Sequence, residues 1–219
     1  SGIYAELNGV NFGNSKQGCT WLVELTPLTI APSCYAISSS SQVTLTNDML
    51  YPYGATCFNI YVTPSSSGNN TVINCNGHTV LAPHGGTFVN VANATNVKIE
   101  NCYIKNFTKA ITDSASYINV MNNTIATANF SVVVGNSRYP YIYNNRIINA
   151  SYGILLQNSL YGKLLRNNIT NTQIPIQISG GGVFTITGNR AYNGSIGLYL
   201  INSTLNTLQD NSFTGMSRY

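Results

Sequence analysis

From Thr95 onward the sequence stacks on itself every 22 residues. The blocks begin at Thr95, Tyr117, Tyr139, Tyr161, Val183 and Leu205, and no gap is needed to align them. The seventh position is asparagine in each: Asn101, Asn123, Asn145, Asn167, Asn189 and Asn211. A fixed period of this length is the mark of a repeat architecture. An apolar residue lies three before the asparagine (Val120, Ile142, Leu164, Ile186, Leu208) and another two after it (Ile125, Ile147, Ile169, Phe213). A short apolar run completes the block, as in Ile154–Leu156 and Ile176–Ile178. Alternate residues of that run fall on one face, which is strand periodicity, and no block carries a helical stripe. Each block therefore holds two or three very short strands joined by Asn, Gly and Ser turns.

One such coil cannot bury its own apolar face, but stacked coils can, with like positions one above another at the strand spacing of roughly 4.8 Å. The expected fold is all-β: a right-handed parallel β-helix with 22-residue coils over residues 42–219, preceded by an atypical cap or adaptor over residues 1–41. The repeated asparagines are expected to form an internal ladder of side-chain amides. Asn76 is expected to begin that ladder, with a small bulge near Pro83–Gly86 absorbing the longer spacing to Asn101.

The run GILLQNSLYGKLLRNNI (Gly153–Ile169) resembles the repeat of the pectin-lyase-like superfamily of right-handed β-helices, in its carbohydrate-binding and sugar-hydrolase type, which includes NosD-like proteins. Upstream, VINCNGHTV (Val72–Val80) and NVKIENCYIKNF (Asn96–Phe107) are similar to the entry motif of such domains in archaeal secreted proteins. The resemblance implies the fold and leaves function open, because the superfamily holds lyases, hydrolases, binding modules and structural proteins.

Charged residues make up 7% of the chain and the net charge is +4, with the basic residues scattered around the coils. No patch for nucleic acid is visible. No apolar run reaches the roughly 18–20 residues of a membrane span. With no leader at Ser1, the chain reads as a mature, secreted or surface-located protein. Five cysteines leave one unpaired within the chain. Cys19 is paired here with Cys34 and Cys57 with Cys75, or else Cys102 stacks beside Cys75 one coil on. Sequons begin at Asn69, Asn93, Asn106, Asn122, Asn129, Asn149, Asn168, Asn193 and Asn202, spread around the coil so that covalent N-glycans would sheathe it.

Superfamily enzymes need Asp clusters, bases beside Ca²⁺, or carboxylates within about 5–10 Å of each other. Here Glu6, Glu24, Asp48, Glu100, Asp113 and Asp210 are dispersed, with Asp210 read at the Glu100 position five coils away. His78 reads as a hydrogen-bonded turn residue, and His84 has no evident partner. Arg146 and Arg190 share a row with Cys102, Thr124, Asn168 and Ser212, read as a solvated face. The expectation is therefore no enzyme, no cofactor and no metal. Tyr117, Tyr139 and Tyr161 should stack in a column, with Tyr141 and Tyr143 nearby, either as structural support or as a platform for sugar.

The last block stops before its apolar run, which should read like Gly-Ile-x-Leu-x-Asn, and the chain begins Gly2-Ile3-Tyr4-Ala5-Glu6-Leu7-Asn8. The leading functional expectation is an extracellular structural subunit, with itself as partner. Gly2, Ile3, Tyr4, Ala5 and Leu7 of one copy would meet Phe213, Met216 and Tyr219 of the next, head to tail. The alternatives are a carbohydrate-binding module or adhesin for surface polysaccharide using the tyrosine face, and a polysaccharide lyase or hydrolase.

Overall fold

A computed structural model describes residues 29–30, 36–63, 66–114 and 117–218. Among them are 26 strands and no helix. The strands build three faces of a right-handed parallel β-solenoid, which is the expected fold. The first face has eight strands, from Gln42–Thr44 and Val72–Asn74 to Thr207–Gln209. The second has nine, from Thr29–Ile30 to Ser212–Met216. The third, with the long strands Tyr152–Leu160 and Ile174–Gly182, runs from Ala36–Ile37 to Leu198–Ile201. One antiparallel pair, Thr56–Thr63 with Ser66–Ser67, lies off this path. Thr29–Ile30 and Ala36–Ile37, inside the segment read as a cap, are themselves strands of the second and third faces.

The register explains the apolar pattern. Val120, Ile142, Leu164, Ile186 and Leu208 are partners along the first face. Ile125, Ile147, Ile169, Ala191 and Phe213 are partners along the second. Val132, Ile154, Ile176 and Leu198 are partners along the third. Each column points inward, and most of its members are fully buried in one continuous core. Alternation within each strand sends the intervening residue out to solvent.

The polar interior column differs from expectation at its start. Asn123, Asn145, Asn167 and Asn189 are buried as foreseen. Each donates its Nδ2–H to the Oδ1 of the asparagine one coil on, at 3.1, 3.0, 2.9 and 3.0 Å, ending on Asn211. Each backbone N–H donates to that same oxygen at 3.0 Å. A second Nδ2–H bond reaches back to a carbonyl of the preceding coil, as from Asn145 to Val120 at 2.8 Å. Asn101 is not part of this ladder. Between the first two regular coils the register is 21, not 22: Ile99 pairs with Val120, Ile104 with Ile125 and Ile111 with Val132. That slip puts Cys102 at the ladder position, where its N–H donates to Asn123 Oδ1 at 3.0 Å. Asn101 instead turns a corner and bonds Asn74 Oδ1 at 3.2 Å. Asn76 is likewise an exposed turn residue.

Cys102 is bonded to Cys75, one coil below, by a disulfide across 27 residues. The amide ladder thus continues downward as a covalent rung. This is the arrangement of Cys102 beside Cys75, and it excludes the Cys57–Cys75 pairing; Cys57 is disulfide-bonded too. The Cys19–Cys34 pairing lies outside the described residues.

The asparagine ladder gives a sharp prediction. Asn167→Ala strands the Asn189 and Asn145 amides and the Ile142 carbonyl in a dry interior, at about 1–3 kcal/mol for each unsatisfied group. It should lower stability by roughly 3 kcal/mol or more in urea titrations. The adjacent exposed Asn168→Ala should stay within about 0.5 kcal/mol of wild type.

Candidate functional site

Every coil must bend between faces, and it does so with residues in the left-handed region. One corner uses Asn101, Asn122, Asn144, Arg166, Gly188 and Asp210; another uses Asn106, Thr127, Asn149, Asn171, Asn193 and Gly215. Asparagine and glycine dominate because they tolerate positive φ, which costs other residues roughly 1–2 kcal/mol. This requirement accounts for much of the asparagine content.

The connection from the third face to the first has two left-handed rows. Asn93, Asn136, Asn158, Gly180 and Asn202 follow the rule, and the row of Asn70, Asn96, Tyr117, Tyr139, Tyr161, Val183 and Leu205 breaks it. The three tyrosines have φ of 61°, 58° and 59° and are 50, 43 and 44% exposed. Their rings stack as foreseen, with centroids 5.0 and 5.4 Å apart. Val183 and Leu205 prolong the stripe, Leu205 being 80% exposed. Two ring contacts return about 0.5–1.5 kcal/mol each. That only partly offsets three strained tyrosines, and it offers nothing to Val183 and Leu205. The fold by itself would be better served by asparagine here.

Beside this corner, the outward side of the first face carries Tyr141 and Tyr143, whose rings lie 5.8 Å apart. Tyr139, Tyr141 and Tyr143 therefore run across a single coil, followed around the next corner by Arg146. The rings of the column cover much of one another's faces and turn their edges outward. A ligand along the stripe would meet phenol edges and hydroxyls at the coil spacing.

The titratable groups lie elsewhere. Asp48 accepts from Thr79 N–H at 2.8 Å and sits 3.3 Å from His78 Nδ1. Glu100 pairs with Lys98 at 2.9 Å on the outer first face. Asp113 is buried on the third face, in register with Val91 and Val134. Asp210 does not occupy the Glu100 position: Glu100 registers with Met121, Tyr143, Leu165, Thr187 and Gln209, and Asp210 turns the next corner. The same one-residue slip corrects the arginine row, where Tyr103 rather than Cys102 aligns with Thr124, Arg146, Asn168, Arg190 and Ser212. His84 is exposed, and Glu6 and Glu24 lie outside the described residues.

Of the sequon asparagines, Asn93, Asn122, Asn129, Asn149, Asn168, Asn193 and Asn202 are exposed, and Asn69 and Asn106 are half-buried. Asn122 and Asn193 already share amide bonds with Asn144 and Asn171. Of the residues expected at a subunit contact, Met216 is buried and Phe213 packs against the core of its own chain. Gly2, Ile3, Tyr4, Ala5, Leu7 and Tyr219 lie outside the described residues.

If the stripe is held against the preference of its backbone, relieving it should stabilise the protein. Leu205→Asn should raise the free energy of unfolding by about 1 kcal/mol, because asparagine tolerates the left-handed corner that leucine resists. A thermal melt that moves down would sink that account of the corner.

Comparison with known proteins bears on the fold. Residues 58–213 match the family described as "Right handed beta helix region". No curated protein matches the chain. A solved structure named "Glycoside hydrolase" is similar at 12% identity and a TM-score of 0.49. The likeness covers 80% of this chain and 38% of that one, so this chain spans well under half of that protein. The expectation of no enzyme does not stand, since the family match leaves an enzyme possible: β-helices of this kind are common in polysaccharide-degrading enzymes. With its three parallel faces and a match over most of its length, the chain belongs to the right-handed β-helix family.

Proposed function

We propose that this chain is a carbohydrate-recognising β-helix that lays an extended glycan along its tyrosine corner, outside the cell. The observation that carries the reading is the stripe Tyr117, Tyr139, Tyr161, Val183 and Leu205. It places exposed aromatic and apolar side chains on consecutive coils, at backbone positions that favour asparagine or glycine. Each stacked tyrosine offers sugar an apolar ring edge and a hydroxyl. The adjacent Tyr141 and Tyr143 widen the surface on one coil. The buried Cys75–Cys102 bond favours an oxidising compartment, where exposed sequons such as Asn93 and Asn129 would meet the glycosylation machinery.

The test is affinity electrophoresis through gels containing soluble plant, microbial and algal polysaccharides. Wild type should be retarded by at least one of them, and Tyr139→Asn should lose at least tenfold in affinity with no loss of thermal stability. Wild type running free in every gel, or a variant retarded equally, overturns the reading. Reducing ends appearing on incubation would add turnover to recognition.

The head-to-tail contact expected from the sequence has no such support: its N-terminal residues lie outside the described residues, and Phe213 and Met216 pack into the core of their own chain.

A further inference from the structure

The corner between the first and second faces concentrates positive charge. The chain has ten Lys and Arg in all. Three of them, Arg146, Arg166 and Arg190, fall on successive coils. Arg146, Asn168 and Arg190 are direct register partners, so two guanidiniums share a column two strand spacings apart, roughly 9–10 Å. Arg166 stands at the left-handed corner of the coil between them, with φ of 55°. Arg166 and Arg190 line one depression of about 450 Å³ together with Asn168, Gly188 and Asp210. Arg146 lines a second, of about 440 Å³, with Tyr103, Asn122 and Thr124.

The fold does not require this cluster. The same corner is turned by Asn122, Asn144 and Gly188 on other coils, so Arg166 occupies a strained position without need. Like charges on nearby strands destabilise a sheet. Among the described residues none of the three arginines has an ion-pair partner; the pairs present are His78–Asp48 and Lys98–Glu100. Three guanidiniums against Asp210 leave a local charge of about +2, in a chain that is only 7% charged. A planar carboxylate is saturated by one guanidinium fork, whereas a tetrahedral oxyanion presents acceptors in several directions. The donors here come from two different rows.

We propose that this corner binds a phosphoryl or sulfuryl group, held by Arg166 and Arg190, with Arg146 drawing in a second anionic group on the same ligand. The site is separate from the tyrosine corner and does not depend on it. The test is isothermal titration calorimetry of the full chain with inorganic phosphate and with inorganic sulfate, at fixed ionic strength in chloride. Wild type and the distant variant Lys109→Gln should show saturable one-to-one binding of at least one anion. Arg166→Gln with Arg190→Gln should bind at least tenfold more weakly. Arg190→Lys keeps the charge but loses the fork; it too should weaken binding, and it decides the matter if the double variant fails to fold. Inorganic phosphate should bind more tightly as its second proton leaves around neutral pH, whereas sulfate should not change. The tighter anion then names the natural group. Absence of saturable heat with both anions, or unchanged affinity in Arg190→Lys, overturns the proposal.

Discussion

Everything in this solenoid depends on coils lending one another their hydrogen-bonding partners. Strands of three residues cannot close a ladder alone, so each backbone group looks to the coil above or below. The buried asparagine column is the strictest case. A side chain with two donors and one acceptor sits in an interior otherwise lined by isoleucine and valine, and it is tolerated because it is fully bonded. Its acceptor holds the N–H of the preceding coil, and its donors hold the next amide and a carbonyl behind. No other side chain of similar size meets all three demands at one spacing, which is why the residue recurs with the repeat.

The exterior follows a different economy. Corners need left-handed backbone, and most are turned by asparagine or glycine. Against that background the two departures stand out. One corner spends its positions on tyrosine, valine and leucine. Another gathers arginine among asparagines. Both departures lie on either side of the same three-residue strands of the first face, so one narrow surface carries aromatic edges along one margin and guanidinium groups along the other. A solenoid offers such rows readily, because any outward position repeats along the axis.

Most of the fold was legible in the sequence because period, apolar columns and turn residues agree from Tyr117 onward. The error lay where two asparagine roles stand side by side. In Asn122-Asn123 and Asn144-Asn145 the first residue turns the corner, exposed, and the second enters the ladder, buried. Composition cannot tell such twins apart. In Asn101-Cys102 the second role passed to cysteine, and counting asparagines chose the wrong member of the pair. Aligning Ile99, Ile104 and Ile111 with Val120, Ile125 and Val132 would have exposed the slip. The site was less legible. The tyrosine column could be read from spacing alone, but its strained backbone could not, because aromatic residues give no hint of positive φ. The arginine at the corner was missed because it stands two residues out of phase with the row containing Arg146 and Arg190.

The covalent rung between Cys75 and Cys102 has a mechanical consequence. Amide rungs between coils can be parted one at a time, as in a zip fastener, starting from the Asn211 side. A pull applied along the axis from that side would release loops of one coil's length in succession. At Cys102 the force passes straight through the disulfide to Cys75, so the residues between the two cannot be drawn out without breaking a covalent bond. The solenoid is thus a rod that extends coil by coil over its asparagine-laddered length, with one coil held closed against the pull.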